Sequence, residues 1–154
     1  MESLMKYIAR TSRLAYLYRS HCLKDLGLGG EHHTYIMNIC RNPGITQDDL
    51  ARLIFINKSN VARQLAVLER DGFIIRRAGT EDKRQSMVYP TDKAYEVLPI
   101  VKDMLRGWNQ AITEGFTRVQ KEELLVSVMK VMDNAVAVVD ALPAQGGMGA
   151  EETT

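Results

Sequence analysis

Apolar residues recur at helical spacing through most of the chain, and two short apolar runs between residues 73 and 89 interrupt that rhythm. Leu4, Ile8, Thr11, Ala15, Tyr18 and Cys22 form one stripe and Tyr7, Leu14 and Leu17 a second, which predicts a long helix over residues 3–24 with two surfaces to pack against. Gly27, Gly29 and Gly30 break it, and Glu31 to Cys40 form a second helix with Tyr35, Ile36, Ile39 and Cys40 inward. Asn42-Pro43-Gly44 reads as a tight turn. Thr46 is an N-cap with Asp49 closing a capping box, and it opens a short helix that carries Leu50, Ala51 and Leu53 inward. Asn57 or Ser59 caps the next helix, whose Val61, Leu65 and Leu68 share one face while Lys58, Asn60, Arg63, Gln64 and Val67 take the other. Gly72 ends it.

Phe73 to Arg77 and Ser86 to Tyr89 then read as two short strands around a polar loop. Thr91 caps a helix from Asp92 to about Glu114, with Leu98, Val101, Leu105, Trp108 and Ile112 as its stripe. Pro99 is expected to kink or break it. The helix from Gln120 to Leu142 is apolar on two faces, Leu124-Val128-Val131-Ala135-Val138 and Leu125-Met129-Met132-Val136-Val139. So much apolar surface on a terminal helix predicts an obligate dimer interface shared with the other long helices; the alternative is a buried core helix of a monomer. Residues 143–154 are low in complexity and read as a flexible tail.

The order is helix-turn-helix followed by a hairpin, a winged helix. The fold class is therefore mainly α with a small β-wing, a winged helix-turn-helix carrying N- and C-terminal dimerisation helices. The expected domains are residues 1–28 (dimerisation helix), 31–91 (winged helix), 92–142 (dimerisation helices) and 143–154 (tail). The second helix of the motif offers amide and guanidinium groups to base edges, and the hairpin carries Arg76, Arg77, Lys83 and Arg84 for phosphates or a minor groove. Thr46, Gln47, Lys58, Ser59, Asn60, Arg63 and Gln64 complete the expected DNA-binding set, with Asp82 at the wing. A solvated helix and hairpin used for protein contact, without DNA, is the competing reading.

Charge changes the picture only when it is located. The net value is +1, yet residues 57–90 hold seven Lys/Arg against four Asp/Glu, and residues 91–154 hold six against ten. The positive excess sits where DNA would be touched. No Gly-rich phosphate loop, G-x-S-x-G, H-E-x-x-H or paired-Cys motif is present, so no enzyme class is indicated and no cofactor is expected. No run reaches roughly 18 apolar residues and Lys6 and Arg10 interrupt any leader-like stretch, so a cytoplasmic protein without membrane contact is expected. Cys22 and Cys40 are isolated and fit reduced thiols.

Lys58-Ser59-Asn60-Val61-Ala62-Arg63, Leu68-Glu69-Arg70-Asp71-Gly72-Phe73-Ile74 and Asp82-Lys83-Arg84, in this order of helices, resemble the MarR (multiple antibiotic resistance regulator) family from Ser3 to Leu142. The resemblance implies a homodimeric regulator, usually a repressor, on a pseudo-palindromic operator. Arg84 is then similar to the wing arginine of the minor groove, and Asp82 to the acid that holds it. A small aromatic or anionic effector is implied near Tyr7, Arg10, His32, Tyr35 and Ile36, with Phe55 as a wall. Some zinc-sensing members use a Glu-His pair near Glu31-His32 with histidines on the helix after the wing, but that helix has none here, so no metal is expected. A metal- or redox-sensing variant is the remaining alternative. The sequence departs from the family at Tyr89-Pro90-Thr91-Asp92-Lys93-Ala94, where Leu-Thr-x-x-Gly is usual, and Pro90 predicts an early end to the second strand. Asn60 and Ala62 replace frequent threonines, so base preference is not inherited.

Overall fold

The computed structural model describes residues 3–79 and 83–143. The chain forms two units, one running to Ile112 and one from Thr113 onward. In the first, α1 (Leu4–Leu23) runs through a short 3-10 turn at Lys24–Leu26 toward α2 (His32–Arg41). Then come β1 (Ile45–Thr46), α3 (Gln47–Leu53), α4 (Lys58–Arg70), β2 (Ile74–Ala78), β3 (Ser86–Pro90) and α5 (Asp92–Ile112). The second unit is α6 (Arg118–Asp140) with its leading turn. No described helix is long and apolar enough to cross a membrane.

The caps at Thr46 and Asn57 sit where the polar pattern puts them. Asp49, however, takes the Thr46 hydroxyl instead of closing a capping box, and the Thr91 hydroxyl donates to the Gly72 and Phe73 carbonyls. Thr46 Oγ1 accepts the Asp49 N–H at 3.0 Å, and Asn57, rather than Ser59, accepts the Asn60 N–H at 2.8 Å to start α4. Gly72 takes φ +80° after α4, a left-handed stop that a side chain would strain. The core then gathers Tyr35, Ile36 and Ile39 from α2, Leu50 from α3, Val61, Leu65 and Leu68 from α4, and Phe73, Ile74 and Val88 from the wing.

A third strand was not expected. β1 pairs antiparallel with β3, and β3 with β2, giving the order β1-β3-β2. Two residues are too few to show an alternation in sequence. The turn before β1 brings Gly44 against Tyr89, where a Cβ would meet the ring at 3.2 Å, and its N–H reaches Val88 O at 2.8 Å. The strand also reaches Pro90, opposite Ile74, instead of stopping short of it. β1 covers only Met87 and Val88, so at Pro90 the strand has a single neighbour and tolerates a missing donor.

Helix α5 is continuous through Pro99, without the expected break. Its buried stripe is Ala94, Val97, Val101 and Met104, with Leu98 and Leu105 half-buried and Ile112 45% exposed. The expected stripe was one row round the helix. Both rows are apolar, and the core selects the one that faces α2 and β3. On α1 only Ala15 and Leu23 are buried; Tyr18 packs on Trp108 of α5 with ring centroids 5.1 Å apart, and Leu4, Tyr7, Ile8, Leu14 and Leu17 stay exposed.

In the second unit, Thr117 and Gln120 form a reciprocal capping box that starts α6 two residues before the expected Gln120. Within the second unit none of the α6 residues is buried. Leu125, Met129, Met132 and Val139 are all more than half exposed. Of the expected tail only residue 143 falls within the described residues.

Candidate nucleic-acid interface

Helices α3 and α4 meet through a turn in which Phe55, 71% exposed, holds a positive φ of 55°. Lys58, at the first position of α4, reaches back to Asp48 of α3 at 2.6 Å and ties the two helices. Ser59 donates its hydroxyl to Asn57 Oδ1 at 2.9 Å, reinforcing the cap. Arg63 is exposed on the face opposite Val61, Leu65 and Leu68, and Asn60 is half-buried beside it. Gln64 is different: its side-chain oxygen lies 3.0 Å from His32 Nε2.

The wing is braced to α4. Glu69 accepts the Arg76 backbone N–H at 3.0 Å and its guanidinium at 2.6 and 2.9 Å. Arg76, counted in sequence among the DNA-contacting cations, thus uses its donors inside the protein. In sequence Glu69 stands out only within Leu68-Glu69-Arg70-Asp71-Gly72; the opposite charge seven residues later is the available signal. Arg77 is exposed and lies 5.5 Å from the Tyr89 ring, a cation–π contact that leaves its outer side to solvent. Lys83 and Arg84 are exposed at the wing, while Asp82, and with it the expected hold on Arg84, lies outside the described residues.

Two surface hollows show which of these groups come together. Thr46, Gln47, Asp48, Arg52, Arg84, Gln85 and Ser86 line one of about 380 Å³, so the first turn of α3 adjoins the wing. Arg76, Arg77, Lys83, Arg84 and Glu69 line another of about 390 Å³. Such a cationic recess beside a helix-turn-helix suits a phosphate chain.

Hydrogen bonding from Arg76 holds the Glu69 carboxyl below its usual range in the folded chain. Its contribution to stability is therefore full above the ordinary glutamate pKa and is lost as pH falls through the depressed one. A Glu69→Gln chain should unfold at lower urea than the parent at neutral pH and converge with it in acid. A gap that stayed constant with pH would remove the ion pair as its cause.

The residues expected at an effector site do not share one setting. Tyr35 and Ile36 are sealed in the core, and His32 is buried with both ring nitrogens engaged. Tyr7, Arg10 and Phe55 lie on the surface. His33 bonds Gly30 O at 2.9 Å, and its burial pushes the ring toward the neutral form. Among the described residues no three His, Cys, Asp or Glu side chains are grouped to hold a metal ion. Cys22 and Cys40 are free and half-buried, and burial pushes the Cys40 thiol up, away from a reactive thiolate.

Residues 26–85 match the model of the MarR family. Over 134 residues the chain is 28% identical to the uncharacterized HTH-type transcriptional regulator YybA of Bacillus subtilis (strain 168), covering 87% of this chain and 89% of the relative. It superposes on the crystal structure of the transcriptional regulator SlyA with a TM-score of 0.83 at 27% identity, over 86% of this chain and 94% of that one. A MarR family regulator from Listeria monocytogenes complexed with a 26mer DNA shares the fold at a TM-score of 0.84 and 23% identity, over 95% of this chain and 100% of that one. The matched segment is the one that holds the capped helix pair and the start of the braced wing, and in sequence and fold the chain is similar to the MarR family of winged-helix transcriptional regulators.

Proposed function

We propose that the chain acts as a cytoplasmic homodimeric repressor, binding a pseudo-palindromic operator and released from it by a small aromatic or anionic effector. The observation that carries the DNA part is the exposed polar face of α4 beside a wing whose Arg84 lines one hollow with the first turn of α3. The regulator from Listeria monocytogenes, complexed with a 26mer DNA, supports the same use of the fold. Dimerisation is supported by the uncovered apolar rows of α1 and α6. A dimer would set its two α4 helices roughly 34–36 Å apart to meet successive major grooves. An effector would act by favouring a dimer with another spacing, and exposed Tyr7 and Arg10 on α1 offer it a ring and a guanidinium.

Fluorescence anisotropy on the DNA flanking the coding region, against random duplex at two salt concentrations, tests the reading. Selective binding that weakens with salt is expected. Arg84→Ala should weaken binding on all duplexes and reduce the salt slope by about 1, whereas Arg63→Ala should cost about 1–3 kcal/mol and relax the preference at one base pair. Equal losses on specific and random DNA would remove Arg63 as a base reader. No salt-dependent binding to either duplex would favour the protein-contact reading.

A further inference from the structure

Among the described residues His32 is the buried polar side chain, 5% exposed, and its ring is held from both sides. The Gly29 N–H points at Nδ1 at 2.9 Å, and Nε2 lies 3.0 Å from Gln64 Oε1. A backbone N–H can only donate, so Nδ1 is the acceptor and the ring proton sits on Nε2, which donates to Gln64. The Glu31 carboxylate stands 3.9 Å from Nε2, beyond hydrogen-bond reach, and does not compete for that proton.

The other end of this line is fastened to α1. Arg19 Nε donates to Gly30 O at 3.0 Å. A Cβ on Gly30 would stand 2.8 Å from Tyr16 O and 2.5 Å from Ser20 Oγ, so only glycine lets the turn approach α1 this closely. Hydrogen bonds and one tight contact therefore run from α1 through Gly29-Gly30 and His32 to α4.

We propose that His32 is a positioning residue for the recognition helix, joining the Gly29 turn on α1 to Gln64 on α4 in its neutral, Nε2-protonated form. The proposal rests on the reading of α4 as the DNA-contacting helix and α1 as a dimerisation helix. It changes the role of Gln64. Bidentate reading of adenine needs both the amide oxygen and the amide nitrogen, and here the oxygen is turned inward to His32. Gln64 serves to orient the helix, while Arg63 and Asn60 remain to read bases.

Two substitutions separate the two bonds. His32→Asn retains an acceptor near Nδ1 for Gly29 but cannot reach Gln64; His32→Gln retains a donor near Nε2 but gives up Gly29. The probe is the tightest duplex enriched from a random pool by the wild-type chain. His32→Asn and Gln64→Leu should each weaken binding about tenfold, the loss expected for a coupled neighbouring pair, and the double variant no further. His32→Gln should stay within about twofold of wild type, since it keeps the bond to Gln64 while Arg19 and the close approach of Gly30 still hold the turn to α1. In the free wild-type protein, long-range ¹H–¹⁵N correlation should show the His32 ring neutral and protonated at Nε2.

Additive losses, a His32→Gln chain as weak as His32→Asn, or a ring protonated at Nδ1 would each overturn the proposal while leaving the DNA reading intact. If His32→Asn fails to fold, His32→Gln, Gln64→Leu and the ring spectrum decide. A wild-type chain that enriches no duplex would overturn the DNA reading, and the proposal with it.

Discussion

A chain carrying Leu125→Asp and Met129→Asp is expected to sediment as a monomer and to bind its operator about 10²–10⁴-fold more weakly, the avidity lost when one of two linked contacts is removed. The two residues lie one turn apart on α6, 60% and 52% exposed within the chain. With Met132, Val136 and Val139 they form one apolar row, and Leu124, Val128, Val131, Ala135 and Val138 form a second. Rows of this length left to water are the mark of an interface. Two carboxylates in such an interface would be desolvated without partners, which association cannot offset. Because neither side chain is buried within the chain, the fold of the subunit should survive. Sedimentation equilibrium and operator anisotropy on the same sample read both effects. A variant that stays dimeric with unchanged affinity would show that α6 is not the interface.

Phe73→Ala should lower the unfolding free energy by about 3–5 kcal/mol, the usual cost of removing a buried phenyl ring. Phe73 is fully buried and follows Gly72 at the end of α4. Its N–H bonds Leu68 O at 2.9 Å, and its carbonyl accepts both the Thr91 N–H and the Thr91 hydroxyl at 3.0 Å. The ring therefore fills the junction where α4 ends, β2 begins and α5 starts, with the Lys93 ammonium 4.2 Å from its centroid. Collapse around the vacancy would need three elements to move together. Urea unfolding reads the loss, and Phe73→Leu should cost less because most of the volume remains. A loss under about 1 kcal/mol for the alanine variant would mean that the junction repacks freely.

The helices and their caps were legible because each rests on neighbours in sequence. Thr46 with Asp49, Asn57 with Asn60 and Gly72 after Asp71 are all decided within four residues. What escaped depends on partners far along the chain. β1 exists only because Val88 and Met87 lie beside Ile45 and Thr46. The buried row of α5 was chosen by α2 and β3 between two apolar rows that look alike in sequence. The exposure of Arg63, Lys83 and Arg84 could be read from type and position alone. The roles of Arg76 and Gln64 could not, because a donor at the surface and a donor spent on Glu69 look the same until the partner is placed. By sequence His32 is an effector or metal candidate, and only its two bonds show a structural link.

The Glu69–Arg76 brace bears on what kind of DNA can be bound. One carboxylate on the last turn of α4 grips both the backbone and the side chain of Arg76 in β2, so in the proposed complex helix and wing would meet a duplex as one braced, two-pronged fork. The gap between the prongs is set by the protein. A duplex whose major and minor grooves do not match that gap has to bend or twist to fit, and the cost depends on the base steps between the two contacts. Operators with pliable pyrimidine–purine steps in that stretch would then be favoured at positions that no side chain touches.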